Sequence, residues 1–250
     1  MPLDPATAHA VHALFEALAI ALGVRCYLGQ RATGSVKAPF AVLAGCLLGA
    51  AIGNKAAFWL EMPELFSRSE GWMLLLTGQS IVGGLLGGLI GVEAAKLLSG
   101  HRASTGDRFV FPLLLAIGVG RIGCFLAGLN DATYGLPTTL PWGVDFGDGL
   151  PRHPTQLYEI VFCIALAAVL ARWRAPLAAT PGLRFKLMLS AYLLWRLGID
   201  TLKPVHHPWP LGLSGIQWLC LAALSIYLPL TLRQLRRHAR VPQESPMALL

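Results

Sequence analysis

Arg121 stands in the segment GRIGCF, Gly120 to Phe125, at the end of a stretch that is apolar from Phe109 to Val119. A guanidinium at membrane depth costs about 2.5 to 3.5 kcal/mol on insertion scales, so a chain keeps one there for a partner or a task. Other polar residues also interrupt apolar runs: Glu16, Asn54, Lys55, Gln79, Glu93, the segment HPTQLYE from His153 to Glu159, and Arg196, Asp200 and Lys203. The last three are spaced i, i+4 and i+7, which predicts that they project from one face of a helix. Two arginines near one membrane surface, with carboxylates nearby, suit a phosphate-bearing headgroup, because guanidinium forks match phosphate oxygens two at a time. A fixed arginine stabilises the charge that builds on a departing phosphate, and a neighbouring carboxylate or histidine takes a proton from an incoming nucleophile. Such a set describes a lipid-dependent transferase at the outer face of a membrane.

The elements that must position these residues follow from composition. Of 250 residues, 55% are hydrophobic and only 13% charged, and the mean hydropathy is +0.59. That is too apolar for a soluble domain of this length. Seven runs are long enough to cross a hydrocarbon core of about 30 Å: approximately 9–28, 39–60, 72–98, 109–128, 156–173, 185–202 and 213–232. They predict an all-α integral membrane protein with seven transmembrane helices, in one domain spanning 1–250.

Basic residues sort by side. Fourteen fall in alternate loops or the tail (Arg25, Arg31, Lys37; Lys96, Arg102, Arg108; Arg172, Arg174, Arg184, Lys186; Arg233, Arg236, Arg237, Arg240), against three on the other side, Arg68, Arg152 and Lys203. Cytoplasmic loops are the ones enriched in lysine and arginine, so the N-terminus is expected outside and the C-terminus in the cytoplasm. The net charge of +7 then reads as a topology signal, and the basic tail 233–250 as an anchor to anionic lipid, with no nucleic-acid partner. The first run lacks a preceding basic residue and a following small-residue cleavage site, so it is expected to stay as the first span. Five cysteines, Cys26, Cys46, Cys124, Cys163 and Cys220, sit singly in apolar spans. They have neither metal-ligand spacing nor a disulfide framework and read mostly as small packing residues.

The long outward connection, 129–155, is rich in glycine and proline and carries Trp142 and Phe146 around the turn Asp145 to Asp148 (DFGD). It is expected to form an ordered loop or short hairpin at the interface, a periplasmic lid between the fourth and fifth helices. Gly83 to Gly91 (GGLLGGLIG) either lets helices pack closely or makes room for a lipid chain.

GRIGCF followed by PRHPTQLYE, Pro151 to Glu159, resembles the bacterial prolipoprotein diacylglyceryl transferase family. The resemblance spans nearly the whole chain. It implies a seven-span inner-membrane enzyme with an outside N-terminus that moves the diacylglyceryl group of phosphatidylglycerol to the thiol of a prolipoprotein's lipobox cysteine, releasing glycerol phosphate. It implies no metal and no soluble cofactor. Arg121 matches the signature arginine that contacts the headgroup, and Arg196 the first arginine of the sixth-span face. Asp200 stands where the family has glutamate and Lys203 where it has a second arginine, while His153, Gln156, Tyr158 and Glu159 match the start of the fifth span. On this resemblance Arg121, His153, Gln156, Tyr158, Arg196, Asp200 and Lys203 are expected around the headgroup, with Arg121, Arg196, Glu159 and Asp131 in catalytic roles.

The chain also departs from the family. Cys124, Ala127 and Leu129 occupy three signature positions that are asparagine, asparagine and glutamate; Leu86 replaces a histidine before Gly87 and Gly88; and Phe15 and Glu16 stand where an aromatic residue and a tyrosine are usual. Which residue takes the thiol proton is left open; for transfer to another acceptor the base would be Asp131, Glu93 or Glu159. Two other functions remain on the sequence: a transferase of the same fold that moves a group from this or another anionic phospholipid to a different acceptor, and a non-catalytic lipid-binding or transport protein with Glu16, Lys55 and Glu93 along a conduit.

Overall fold

The computed structural model describes residues 3–30, 39–67, 78–204 and 209–240. Seven long helices lie in it: α1 (Pro5–Gly29), α2 (Phe40–Glu61), α3 (Ile81–Ser99), α4 (Val110–Ala127), α5 (Thr155–Arg172), α6 (Leu183–Ile199) and α7 (Gly215–Arg240). All except α6 are long and apolar enough to cross a membrane, which makes six such helices among the described residues. Their outer faces expose Leu47, Ile52, Ile90, Leu98, Val161 and Ile164, an apolar surface that lipid, and not water, suits. The chain is an all-α membrane protein.

Several boundaries differ from the hydropathy reading. Helix α3 starts at Ile81 with Ser80 as its cap, and the Ser80 hydroxyl accepts the Gly83 N–H at 3.3 Å. Gln79 therefore precedes the helix, and residues 72–77 of the expected third span lie outside the described residues, as do Arg31, Lys37 and Arg68. Helix α7 runs on through Arg240, so the first part of the basic tail continues a span; 241–250 lie outside the described residues. Helix α6 stops at Ile199, and a 3₁₀ turn, Asp200–Leu202, follows it.

Hydrogen bonds tie the helix ends into two sets at opposite ends of the bundle. At one end Asn130 donates to Leu3 O at 3.2 Å, Trp209 to Leu60 O at 2.9 Å, and Leu136 N–H to Leu202 O at 2.7 Å. At the other, Gln30 donates to Arg108 O at 2.8 Å, and Asp107 accepts the Gly182 and Phe185 N–H groups at 2.7 and 2.9 Å. Helix α6 joins the two sets, since Phe185 is in its first turn and Leu202 follows its end. Each set also caps a helix N-terminus with a carboxylate from elsewhere in the chain: Asp107 for α6, and Glu61, whose Oε2 accepts the Ile216 N–H at 2.8 Å, for α7. Both satisfy orphan donors at the positive end of a helix.

Helices α2 and α3 pack along glycine rows, Gly45, Gly49 and Gly53 against Gly83, Gly87 and Gly91. A Cβ at Gly49 would stand 2.3 Å from Gly87 O, and one at Gly87 2.2 Å from Gly49 O. This is the small-residue contact that lets membrane helices touch backbone to backbone. It fills the face that the conduit reading needed open. The residues of that reading are engaged locally: Lys55 donates to Gly78 O at 2.8 Å, Glu93 pairs with Lys96 at 3.0 Å, and Glu16 lies 3.6 Å from His12.

Candidate active site

Arg121, Glu159 and Arg196 come from α4, α5 and α6, and all three are buried. Glu159 lies between the others: its Oε2 is 2.7 Å from Arg121 Nε and 3.5 Å from Arg196 Nη1, and its Oε1 accepts the Tyr192 hydroxyl at 2.5 Å. Arg196 Nη2 reaches Asp200 Oδ1 at 2.8 Å, the Arg196 to Asp200 pair that helical spacing implies, and Lys203 Nζ reaches the same oxygen at 3.2 Å. The expected single helical face does not extend that far. Asp200 opens the 3₁₀ turn and Lys203 is extended after it, because the Lys203 N–H turns back to Asp200 O. The tighter turn still keeps both charges in the cluster.

Local sequence explains why these side chains face inward. Gln156, Glu159 and Cys163 are buried along one side of α5, at the i, i+3, i+7 spacing of a core face, and Leu189, Tyr192, Arg196 and Ile199 do the same for α6. Gly123, within the GRIGCF segment, lets α1 approach: a Cβ there would stand 2.6 Å from Phe15 Cβ. Phe15 thus serves as a packing residue against the turn that carries Arg121 and Cys124.

The buried cluster holds three cations, Arg121, Arg196 and Lys203, against two carboxylates, Glu159 and Asp200. Buried Glu61 lies within electrostatic reach of Asp200, Arg196 and Lys203, which brings the cluster close to charge balance. Arg196 Nε and both amide atoms of buried Gln156 are buried without a hydrogen-bond partner. Unpaired buried donors and acceptors are costly in a native protein unless a ligand completes them.

Other expected residues take different places. His153 and Tyr158 are half-buried at the head of α5, His153 Nδ1 lying 3.2 Å from the Tyr158 hydroxyl, which also accepts the Trp142 indole N–H at 2.8 Å. The connection before them contains the expected hairpin, with Val144 opposite Arg152 and Asp145 opposite Pro151. Asp145 Oδ1 accepts the Gly147 and Gly149 N–H groups at 2.8 and 3.0 Å, and Arg152 clasps Asp148 at 2.6 Å. At the departed family positions, Leu86 packs against the apolar core, Ala127 is buried and Leu129 half-buried. Asn130 is exposed and occupied with Leu3 O.

Cys163 and Cys220 are in the apolar core. Cys124 corrects the packing reading: its Sγ is 3.6 Å from Arg121 Nη1 and 3.8 Å from His12 Nε2, and Asp131 joins it and His12 in a group of ligand-type atoms. Tyr192 and His12 were not singled out from the sequence. Tyr192 lies in an apolar run, while His12 is four residues before Glu16 on the same side of α1, a spacing that was available as a signal.

A family description, prolipoprotein diacylglyceryl transferase, matches residues 9–232. A protein of Bordetella parapertussis named phosphatidylglycerol–prolipoprotein diacylglyceryl transferase is 34% identical over 203 residues, 75% of this chain and 72% of the relative. One of the same name from Cupriavidus pinatubonensis is 32% identical over 221 residues, 82% and 74% of the two chains. Another, from Nitratidesulfovibrio vulgaris, is 34% identical over 200 residues, 76% and 69%.

Proposed function

The chain belongs to the prolipoprotein diacylglyceryl transferase family, and on that premise we propose that Arg121 and Arg196 hold the phosphate of phosphatidylglycerol while its diacylglyceryl group passes to a prolipoprotein cysteine. The transfer itself is the family's reaction. The observation that carries the residue assignment is the meeting of Arg121 and Arg196 on one buried carboxylate, beside an Arg196 Nε and a Gln156 amide that no protein group satisfies.

In the reaction the thiolate sulfur forms a bond to the terminal glycerol carbon of the diacylglyceryl group, the bond from that carbon to the phosphate oxygen breaks, and glycerol phosphate leaves with the electron pair. Charge grows on the phosphate as this happens, so prepositioned guanidinium donors stabilise the transition state more than the bound lipid. Glu159 already receives Tyr192, Arg121 and Arg196. We assign it to positioning the two arginines. Asp200 holds Arg196 and Lys203 in the same way. Asp131, whose Oδ2 is buried without a hydrogen-bond partner, is the better candidate to receive the thiol proton. His153, Gln156 and Tyr158 complete the headgroup pocket, with the 129–155 connection over it.

Seven crossings, counting α6, fit the alternation of helix ends between the two hydrogen-bonded sets. The set containing Arg108 and Arg184 belongs to the arginine-rich side, so the positive-charge rule assigns it to the cytoplasm. Arg152 and Lys203 then lie at the outer face of a bacterial inner membrane, where a lipobox cysteine arrives. Leu86, half-buried against the apolar core where the family has histidine, favours one second reading, transfer to another acceptor. Substituting Arg121 by alanine is expected to abolish phosphatidylglycerol turnover in protein that still elutes as a folded species. Unchanged turnover would overturn the assignment.

A further inference from the structure

At the end of the bundle opposite Arg121 and Arg196, Arg184 is buried in the first turn of α6 with 9% of its surface exposed. Its Nε and Nη1 have no hydrogen-bond partner. The charged groups within its electrostatic reach are the Asp107 carboxylate and the Arg174 guanidinium, and Asp107 already accepts the Gly182 and Phe185 N–H groups at 2.7 and 2.9 Å. Arg184 lies over the Phe111 ring, its Cζ 5.7 Å from the ring centroid. That contact uses the face of the guanidinium and leaves these edge donors unmet.

The turn before α4 lies beside it. A Cβ at Gly182 would stand 2.7 Å from Ser104 Oγ, and one at Gly106 3.0 Å from Phe185 Cγ, so residues 104–106 rest on the start of α6. Between them Thr105, 1% exposed, has an Oγ1 with no hydrogen-bond partner. A guanidinium and a hydroxyl buried without partners on adjoining elements are costly unless a ligand completes them. An anion with several oxygens serves both, because guanidinium N–H groups donate strongly to phosphate and the hydroxyl adds a neutral donor. Depth in the membrane favours one source of phosphate. Trp173 is exposed directly before Arg174, and exposed indoles mark the headgroup level of a bilayer. Leu97 and Leu98, exposed at the end of α3 that leads into this turn, offer the apolar surface that acyl chains line.

We propose that Arg184 and Thr105 bind the phosphate of an anionic phospholipid standing in the leaflet at this end of the bundle, a second lipid that is held intact and not consumed. The leaflet alone rests on the orientation proposed above, which makes it the cytoplasmic one. Arg174 adds attraction for the headgroup from a distance. Asp107 stays as the cap of α6, and the phosphate takes the donors that Asp107 leaves. A headgroup there ties the 104–107 turn to the start of the helix that also carries Arg196, twelve residues on and about 18 Å away along the axis.

The test is backbone hydrogen exchange at residues 104–107 and 182–187 of the full-length protein, delipidated in detergent and titrated with phosphatidylglycerol or with phosphatidylcholine of the same acyl chains. Phosphatidylglycerol should slow exchange in both segments and phosphatidylcholine should not. The slowing should persist in Arg121→Ala, which keeps the second lipid apart from the one at the outer site. In Arg184→Gln the half-saturating phosphatidylglycerol concentration should rise by about 10-fold or more. Thr105→Val, which removes only a hydroxyl, should give a smaller rise, and with the native protein's contrast between the two lipids it keeps the test valid should the arginine variant fold poorly. Equal protection by the two lipids, or no rise in either variant, would overturn the site. Inorganic phosphate that protects as well as phosphatidylglycerol would overturn the lipid and make the ligand a soluble anion. None of these readouts uses turnover. A protein that binds here and transfers nothing would refute the transferase reading alone, whereas one that transfers without this binding would refute this proposal alone.

Discussion

Oε2 of Glu159 lies 2.7 Å from Arg121 Nε and, on its other side, 3.5 Å from Arg196 Nη1. One buried carboxylate oxygen thus fixes arginines from two other helices. Glu159→Gln removes the charge that sets them and leaves two buried guanidiniums repelling each other. A loss of about 3 to 5 kcal/mol in stability is expected from breaking such a pair, with turnover down by about 100-fold or more. Tyr192→Phe removes only the hydroxyl donated to Glu159, so a smaller loss of about 1.5 to 3 kcal/mol is expected. Thermal midpoints and lipid turnover of the two variants in the same detergent check the order, and a tyrosine variant as damaged as the glutamate variant would contradict it.

Asp200 serves Arg196 and Lys203 together. Exchanging Arg196 and Asp200 would put a carboxylate next to Glu159 and a guanidinium next to Lys203. The double exchange is therefore expected to recover none of the activity lost in either single variant, although the native pair is real. Recovery to near the native rate would show that the two residues act as an isolated pair.

Gly87→Ala places a methyl group 2.2 Å from Gly49 O, backbone that cannot step aside. The packing of α2 on α3 should be lost, with a large drop in thermal midpoint and yield. Gly118→Ala, where nothing lies within 4 Å, should instead be neutral or gain about 1 kcal/mol from helix propensity. Comparing the two midpoints separates packing from propensity.

The hydrogen bond from Arg152 holds the Asp148 carboxyl below its ordinary value of 3.8. A carboxylate whose pKa is depressed by folding stabilises the fold above its unfolded value, and that contribution is lost as pH falls through the lower, folded value. Hydrogen-exchange protection of residues 144–152 should be level above about pH 4 and decline below it. Asp148→Asn should show the lower protection throughout. Protection that is insensitive to pH in the native protein would mean the clasp does not hold the hairpin.

Much of this was legible in the sequence because it depends on local spacing. Arg196 and Asp200 are one helical turn apart, and they pair; Asp145 to Asp148 reads as a turn, and the hairpin is there. Positive charge and hydropathy located the helices, though not that Ser80 would start α3 or that α7 would continue to Arg240, since capping and arginine stems extend helices past an apolar run. Contacts across long separations were not legible. Tyr192 resembles any core aromatic until Glu159 is placed beside it, and Cys124 resembles a packing residue until α1 brings His12 to it. Nor does spacing reveal that Glu61 caps α7 or that Asp107 caps α6.

The measurement to make is release of labelled glycerol phosphate from phosphatidylglycerol by the purified protein, with a lipobox peptide, without it, and with the peptide cysteine changed to serine. The structure and family predict release only with the cysteine peptide, abolished in Arg121→Ala. Release at the same rate without a thiol, or none where a related transferase is active under the same conditions, would contradict transfer to a prolipoprotein cysteine.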